Sequence, residues 1–151
     1  MGAMYIFLRG LHNLVRWLVV FGGVWALLST LQGLFSRSAW NRTHQRAGVL
    51  FTSSLHLQLL LGIVLYVISP LIASGLRDIG AAMQSQRIRF FLVEHLLLML
   101  LAIVAAQLGF SLARRAGSDR EKFVRALIGY SLAALLLAFG IPWWRSLIPW
   151  A

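Results

Sequence analysis

Apolar residues run along this chain in four long stretches, about Tyr5–Phe35, Gly48–Ser69, Phe90–Ala113 and Phe123–Trp144, separated by short polar or basic segments. Each stretch holds at least the roughly 20 residues that a helix needs to cross hydrocarbon. Inside a bilayer the backbone polar groups must be satisfied within the segment, so runs of this length predict helices. The Ser69–Pro70 pair ends the second helix, because proline lacks an amide hydrogen and disfavours helix at the residue before it. Pro142 disturbs the end of the fourth. Ser118 followed by Glu121 reads as a capping box opening that helix. The pattern predicts an all-α fold, an integral membrane four-helix bundle running up-down-up-down as one transmembrane domain over residues 1–151.

Composition sharpens this picture. Sixty per cent of the 151 residues are hydrophobic and 12% are charged, against about a quarter charged in soluble domains. The chain has no cysteine, which excludes disulfides, thiolate metal sites, iron–sulfur clusters and covalent c-type haem attachment. A net charge of +10 would point to nucleic acid in a soluble protein. Here the basic residues sit between apolar runs, where membrane lipid and topology account for them, and no nucleic-acid partner is expected. The first apolar run extends past the short core of a signal peptide and has no small-x-small cleavage site after it, so no cleaved leader is expected. Ile6 stands where an N-myristoylation signal needs Ser or Thr.

The basic residues also set an orientation. Arg37, Arg42, Arg46, Arg114, Arg115, Arg120, Lys122 and Arg125 follow helices one and three, while Arg9, Arg77, Arg87, Arg89 and Arg145 lie on the opposite side. This imbalance puts both termini outside under the positive-inside rule. Trp40, Trp143, Trp144 and Trp150 fit aromatic belts at the two interfaces.

Chemistry enters through the histidines. His44 lies in the basic loop beside Arg42 and Arg46 and is expected to be solvated. His12, His56 and His95 fall one to each of the first three helices, within apolar runs where ionisable groups are costly and seldom idle. Neutral imidazole is a good metal ligand, and two imidazoles suit an electron-transfer haem. Zinc is less suited, since Glu94 is the one carboxylate nearby. At 1.5 Å per residue, His12 and His95 lie roughly 8–10 Å from the outer ends of their helices, and His56 roughly 21 Å. Depth therefore pairs His12 with His95; His56 with His95 stays open, as does a second haem on His56.

Other polar residues cluster around this pair. Arg16 follows His12 by one turn on the same face and needs a carboxylate, either a haem propionate or Glu94. Arg9, Arg87 and Arg89 could meet propionates at the outer interface. Glu94, beside His95, could tune the iron or relay a proton. Thr52, Ser53, His56 and Gln58 make the second helix polar in its first half, either for a quinone carbonyl held by His56 or Gln58, or for interhelical hydrogen bonds. Ala102, Ala105, Ala106 and Gly109 leave room for a close helix or for a flat cofactor. Trp17, Trp25, Tyr66 and Tyr130 read as packing residues. Nothing matches a hydrolase triad, a Walker loop, a dinucleotide fingerprint or a carboxylate dyad.

Several of these residues form motifs. Leu11-His12 with Arg16-Trp17, His56-x-Gln-Leu-Leu-Leu-Gly62 with Leu65-Tyr66 and Ser69-Pro70, Arg89-Phe90 with Val93-Glu94-His95 and Met99, and Ile141-Pro142-Trp143 resemble a family of small bacterial membrane proteins labelled cytochrome b. The likeness covers all four helices. It implies haem b in the bacterial inner membrane, with His12, His56 and His95 in the matching motifs. The architecture is similar in outline to four-helix membrane b cytochromes that exchange electrons with quinone, including the cytochrome b561 and superoxide oxidase group, whose full histidine sets are not present here. The expectation is a haem b oxidoreductase with His12 and His95 on the iron, passing electrons between the quinone pool and a redox partner protein at the outer face. The rival is a cofactor-free structural or assembly subunit whose buried polar residues join helices in a larger complex. A homo-oligomer is compatible with both.

Overall fold

The computed structural model describes residues 2–145 and contains, among them, helices and connecting turns with no strand. The helices are α1 (Gly2–Phe35), α2 (Arg42–Ile68), α3 (Pro70–Arg77), α4 (Ile79–Gln84), α5 (Gln86–Arg89), α6 (His95–Arg114) and α7 (Asp119–Gly140), with a π-helical turn at Phe90–Glu94. α5, the π-turn and α6 form one continuous span, Gln86–Arg114. With α1, α2 and α7 it makes four helices long and apolar enough to cross a membrane, the four-helix bundle that hydropathy predicts. Large apolar side chains such as Phe21, Leu60, Val67 and Ile128 face outward and are more than 60% exposed. That surface suits lipid, which solvates it as the core solvates its own side chains.

The interior is built from small residues beside a few large ones. Ala26, Ala47, Ala102, Ala106, Ala126 and Ala133 are fully buried, and Phe51 meets Tyr130 edge to face at 5.6 Å between ring centroids. α6 and α7 approach most closely at Gly109 and Gly129, where a methyl group on Gly109 would lie 2.7 Å from the Gly129 Cα. The stripe of Ala102, Ala105, Ala106 and Gly109 is thus used for helix packing and lines no ligand cavity. Of its two sequence readings, the close helix holds.

Helix boundaries are set by caps. α2 starts six residues before the predicted Gly48, because the Asn41 side chain accepts hydrogen bonds from the Thr43 and His44 amides at 2.9 and 3.4 Å. His44 Nδ1 in turn accepts from the Asn41 amide at 3.2 Å. This reciprocal cap draws the His44 ring inward, where it is 8% exposed and lies 4.8 Å from the Phe123 ring centroid. His44 is therefore a buried cap residue, and its expected place in a solvated loop is corrected. Asn41→Ala should lower stability by about 1 kcal/mol, read as a lower melting temperature in detergent.

α7 likewise starts at Asp119, ahead of the predicted Phe123, with the Ser118 hydroxyl accepting from the Glu121 amide at 3.3 Å. It ends at Gly140, where Ile141 turns extended before Pro142. Trp143 donates its indole N–H to the Ala138 carbonyl at 2.8 Å; Trp150 lies outside the described residues. The connection after α2 folds into α3, α4 and α5, capped by Ser69, Asp78 and Ser85, with Pro70 in the first turn of α3. Ile72, Ala82 and Leu92 form a second small core there. It covers one end of the bundle.

Candidate functional site

Beneath that cover lies a cavity bounded by α1, α2, the π-turn, α6 and the residues around the end of α7. The space open to the centre of a water-sized sphere is about 180 Å³, well above the ~10–15 Å³ that admits one water. Its walls are mostly apolar, from Val19, Leu55, Leu59, Met99, Ile103 and Leu137 among others. A few polar groups converge among them. This is the usual composition of an organic-ligand site.

His12 of α1 and His95 of α6 both line the cavity. His56 does not. The inward face of α2 carries Leu55, Leu59, Gly62 and Tyr66, recurring every three or four residues. His56 falls one position off that face, is exposed, and places Nδ1 2.7 Å from the Thr52 carbonyl of its own helix. In the same stretch Thr52 donates to the Gly48 carbonyl, and neighbouring Ser54 to the Phe51 carbonyl, both at 2.9 Å. For Thr52 and His56 these bonds are intrahelical, in place of the interhelical alternative. Gln58 does line the cavity, and its Oε1 is buried with no protein partner.

The two cavity histidines are held differently. The last carbonyls of a helix have no intrahelical amide, and at the end of α7 the Gly140 carbonyl sits 2.7 Å from His95 Nδ1. A carbonyl only accepts, so Nδ1 carries the proton and Nε2 keeps the lone pair. This is the tautomer and the backbone support common to metal-bound histidines. Gly140 can lie this close because it has no side chain; a methyl there would run into Met99 and come within 3.0 Å of the Leu98 Cβ. His12 rests against Gly62, where a methyl group would be 3.4 Å from its Cε1. His12 Nδ1 is buried with no protein partner. Buried polar atoms are nearly always bonded, so His12 and Gln58 both mark places for a ligand.

Charge in the cavity is one-sided. Among the described residues Arg9, Arg16 and Arg145 line it and no Asp or Glu does. Arg16 is 6% exposed, with its guanidinium 5.9 Å from the Trp17 ring centroid. Arg145 lies 5.1 Å from the Phe91 ring centroid. Burial pulls the Arg145 guanidinium below its ordinary range; Tyr5 opposes this, while Arg87 and Arg9 add to it. Glu94, the acid that sequence reading offers to Arg16, instead pairs with Arg89 at 2.7 Å, both side chains more than 40% exposed. It lines no part of the cavity. The site therefore favours an anionic ligand, with carboxylate the natural match for guanidinium.

Among the described residues no three His, Asp or Glu side chains gather to hold a bare metal ion. Two histidines alone fall short of a zinc site's usual ligand set.

His95 follows directly on the π-turn, its amide bonding to the Phe90 carbonyl five residues back. Tyr66, expected only to pack, donates its hydroxyl to the Leu92 carbonyl at 2.9 Å. Neither this contact nor the Gly140 carbonyl has a sequence signal. Arg145 was legible only as an outer basic residue. Comparisons with protein-family models, with curated proteins and with solved structures each return no match.

Proposed function

We propose that the cavity binds one haem b, with His12 and His95 as axial ligands, and that the protein carries electrons between the membrane quinone pool and a partner at the outer face. The observation carrying this reading is the convergence, among the described residues, of two histidines from different helices in an apolar cavity with three arginines and no acid. The donor set fits the group. His95 presents Nε2, held by Gly140; His12 has an unpartnered buried nitrogen; and the arginines match the two propionates, with Arg16 assigned to one of them. A bound haem supplies one-electron redox chemistry. The chain's own residues orient the imidazoles, exclude water with aliphatic walls and balance the propionate charge. The motif resemblance to the small cytochrome b proteins agrees with this assignment.

For contact with a quinone carbonyl or hydroxyl, of the two α2 candidates Gln58 lines the cavity and His56 does not. The cavity lies at the less basic end of the bundle, which the positive-inside rule assigns to the outer face of the bacterial inner membrane.

The test is an oxidised and dithionite-reduced absorption spectrum of the detergent-purified protein, with haem quantified per chain. A sharpened reduced α-band with one haem per chain is expected. A colourless protein from haem-replete cells overturns the reading and leaves a cofactor-free subunit. Arg16→Gln should weaken haem retention about tenfold, since a hydrogen bond to a charged group is worth about 1.5–3 kcal/mol; haem transfer to an apo-globin acceptor measures it.

A further inference from the structure

We infer that Tyr66 and Glu94 are positioning residues for His95, acting through the π-turn that precedes it; the inference rests on His95 being a haem ligand, as proposed above. π-Helical turns are rare, well under about 1% of residues, and cluster at functional sites. This one ends where the ligand begins: its last residue is Glu94, and the His95 amide closes a five-residue bond to Phe90.

Two contacts clamp it from opposite sides. On the cavity side the Tyr66 hydroxyl, from α2, donates to the Leu92 carbonyl inside the turn at 2.9 Å. On the outer side Arg89 Nε meets Glu94 Oε1 at 2.7 Å, across the same five residues. In a regular α-helix residues five apart point about 140° away from each other. The wider π-turn brings them back onto one face. The ion pair thus belongs to the π geometry, and it gives Glu94 a task outside the cavity.

Relaxing the turn to α-helical register would rotate the chain on one side of it by about 100° relative to the other. His95 stands on that boundary. The direction in which its ring enters the cavity then depends on both clamps, and in a bilayer no water replaces the Tyr66 bond once it is lost.

The experiment uses the purified full-length protein with Tyr66→Phe and, separately, Glu94→Ala, a half-buried position outside the core clusters. Three readouts are taken: haem per chain, the g-values of the ferric low-spin electron paramagnetic resonance signal, and hydrogen exchange at the His95 amide. Both variants are expected to keep haem, to shift the g-values, and to speed His95 exchange about fivefold in Tyr66→Phe. Unchanged g-values and exchange in both variants overturn the inference. A wild-type protein without haem overturns the cofactor reading alone, because exchange at His95 still decides whether the clamps hold the turn. Should Tyr66→Phe fail to fold, Glu94→Ala decides by the same two signals.

Discussion

On the proposed haem-binding reading, the His95→Ala protein is expected to retain less than about a tenth of the wild-type haem content, since even losing the groups that support a ligand costs about 10–100-fold in affinity. His12→Ala should do the same. His56→Ala should leave haem content unchanged, because that ring faces away from the cavity and is bonded to its own helix. Haem is read by pyridine haemochrome against protein concentration, with helix content by circular dichroism to establish that each variant folds. Haem loss on His56→Ala with retention on His12→Ala would reverse the ligand assignment made here.

The second large effect concerns the bundle itself. Gly129→Leu forces a side chain into the backbone of α6, where even a methyl on Gly129 would come within 2.7 Å of the Ala105 carbonyl oxygen. A flexible side chain could move aside; a packed helix backbone cannot without separating the two spans. Overpacking of this kind costs about 3 kcal/mol, expected as a large drop in melting temperature or failure to assemble. Gly117→Ala serves as the control, since nothing lies within 4 Å of a methyl group at that position. Equal stability of Gly129→Leu and the wild type would mean that α6 and α7 do not pack through these glycines.

The four spans were legible because hydropathy over some twenty residues survives any local irregularity. Their ends were not, because capping acts through single side chains: Asn41 extends α2 by six residues and buries His44 with it. His12 and His95, which depth along the helix pairs, both line the cavity. Rotation about the helix, which depth does not describe, leaves His56 off the cavity wall. Arg16 was legible as a buried cation, yet Glu94 was offered to it on proximity in sequence, and the π-turn swings that acid toward Arg89 instead. The decisive support of His95 is a main-chain oxygen, and main-chain atoms leave no trace in residue identity.

A main-chain acceptor cannot be deleted by exchanging a side chain, so the face of α7 turned to lipid is free to vary while His95 keeps its proton on the same nitrogen. What the arrangement does not tolerate is a change of length. One residue inserted ahead of Gly140 would advance the helix end by about 1.5 Å and turn it by about 100°, carrying the carbonyl away from the ring. α7 thus serves as a ruler for the histidine, graduated by the number of residues between the Gly109–Gly129 contact and Pro142.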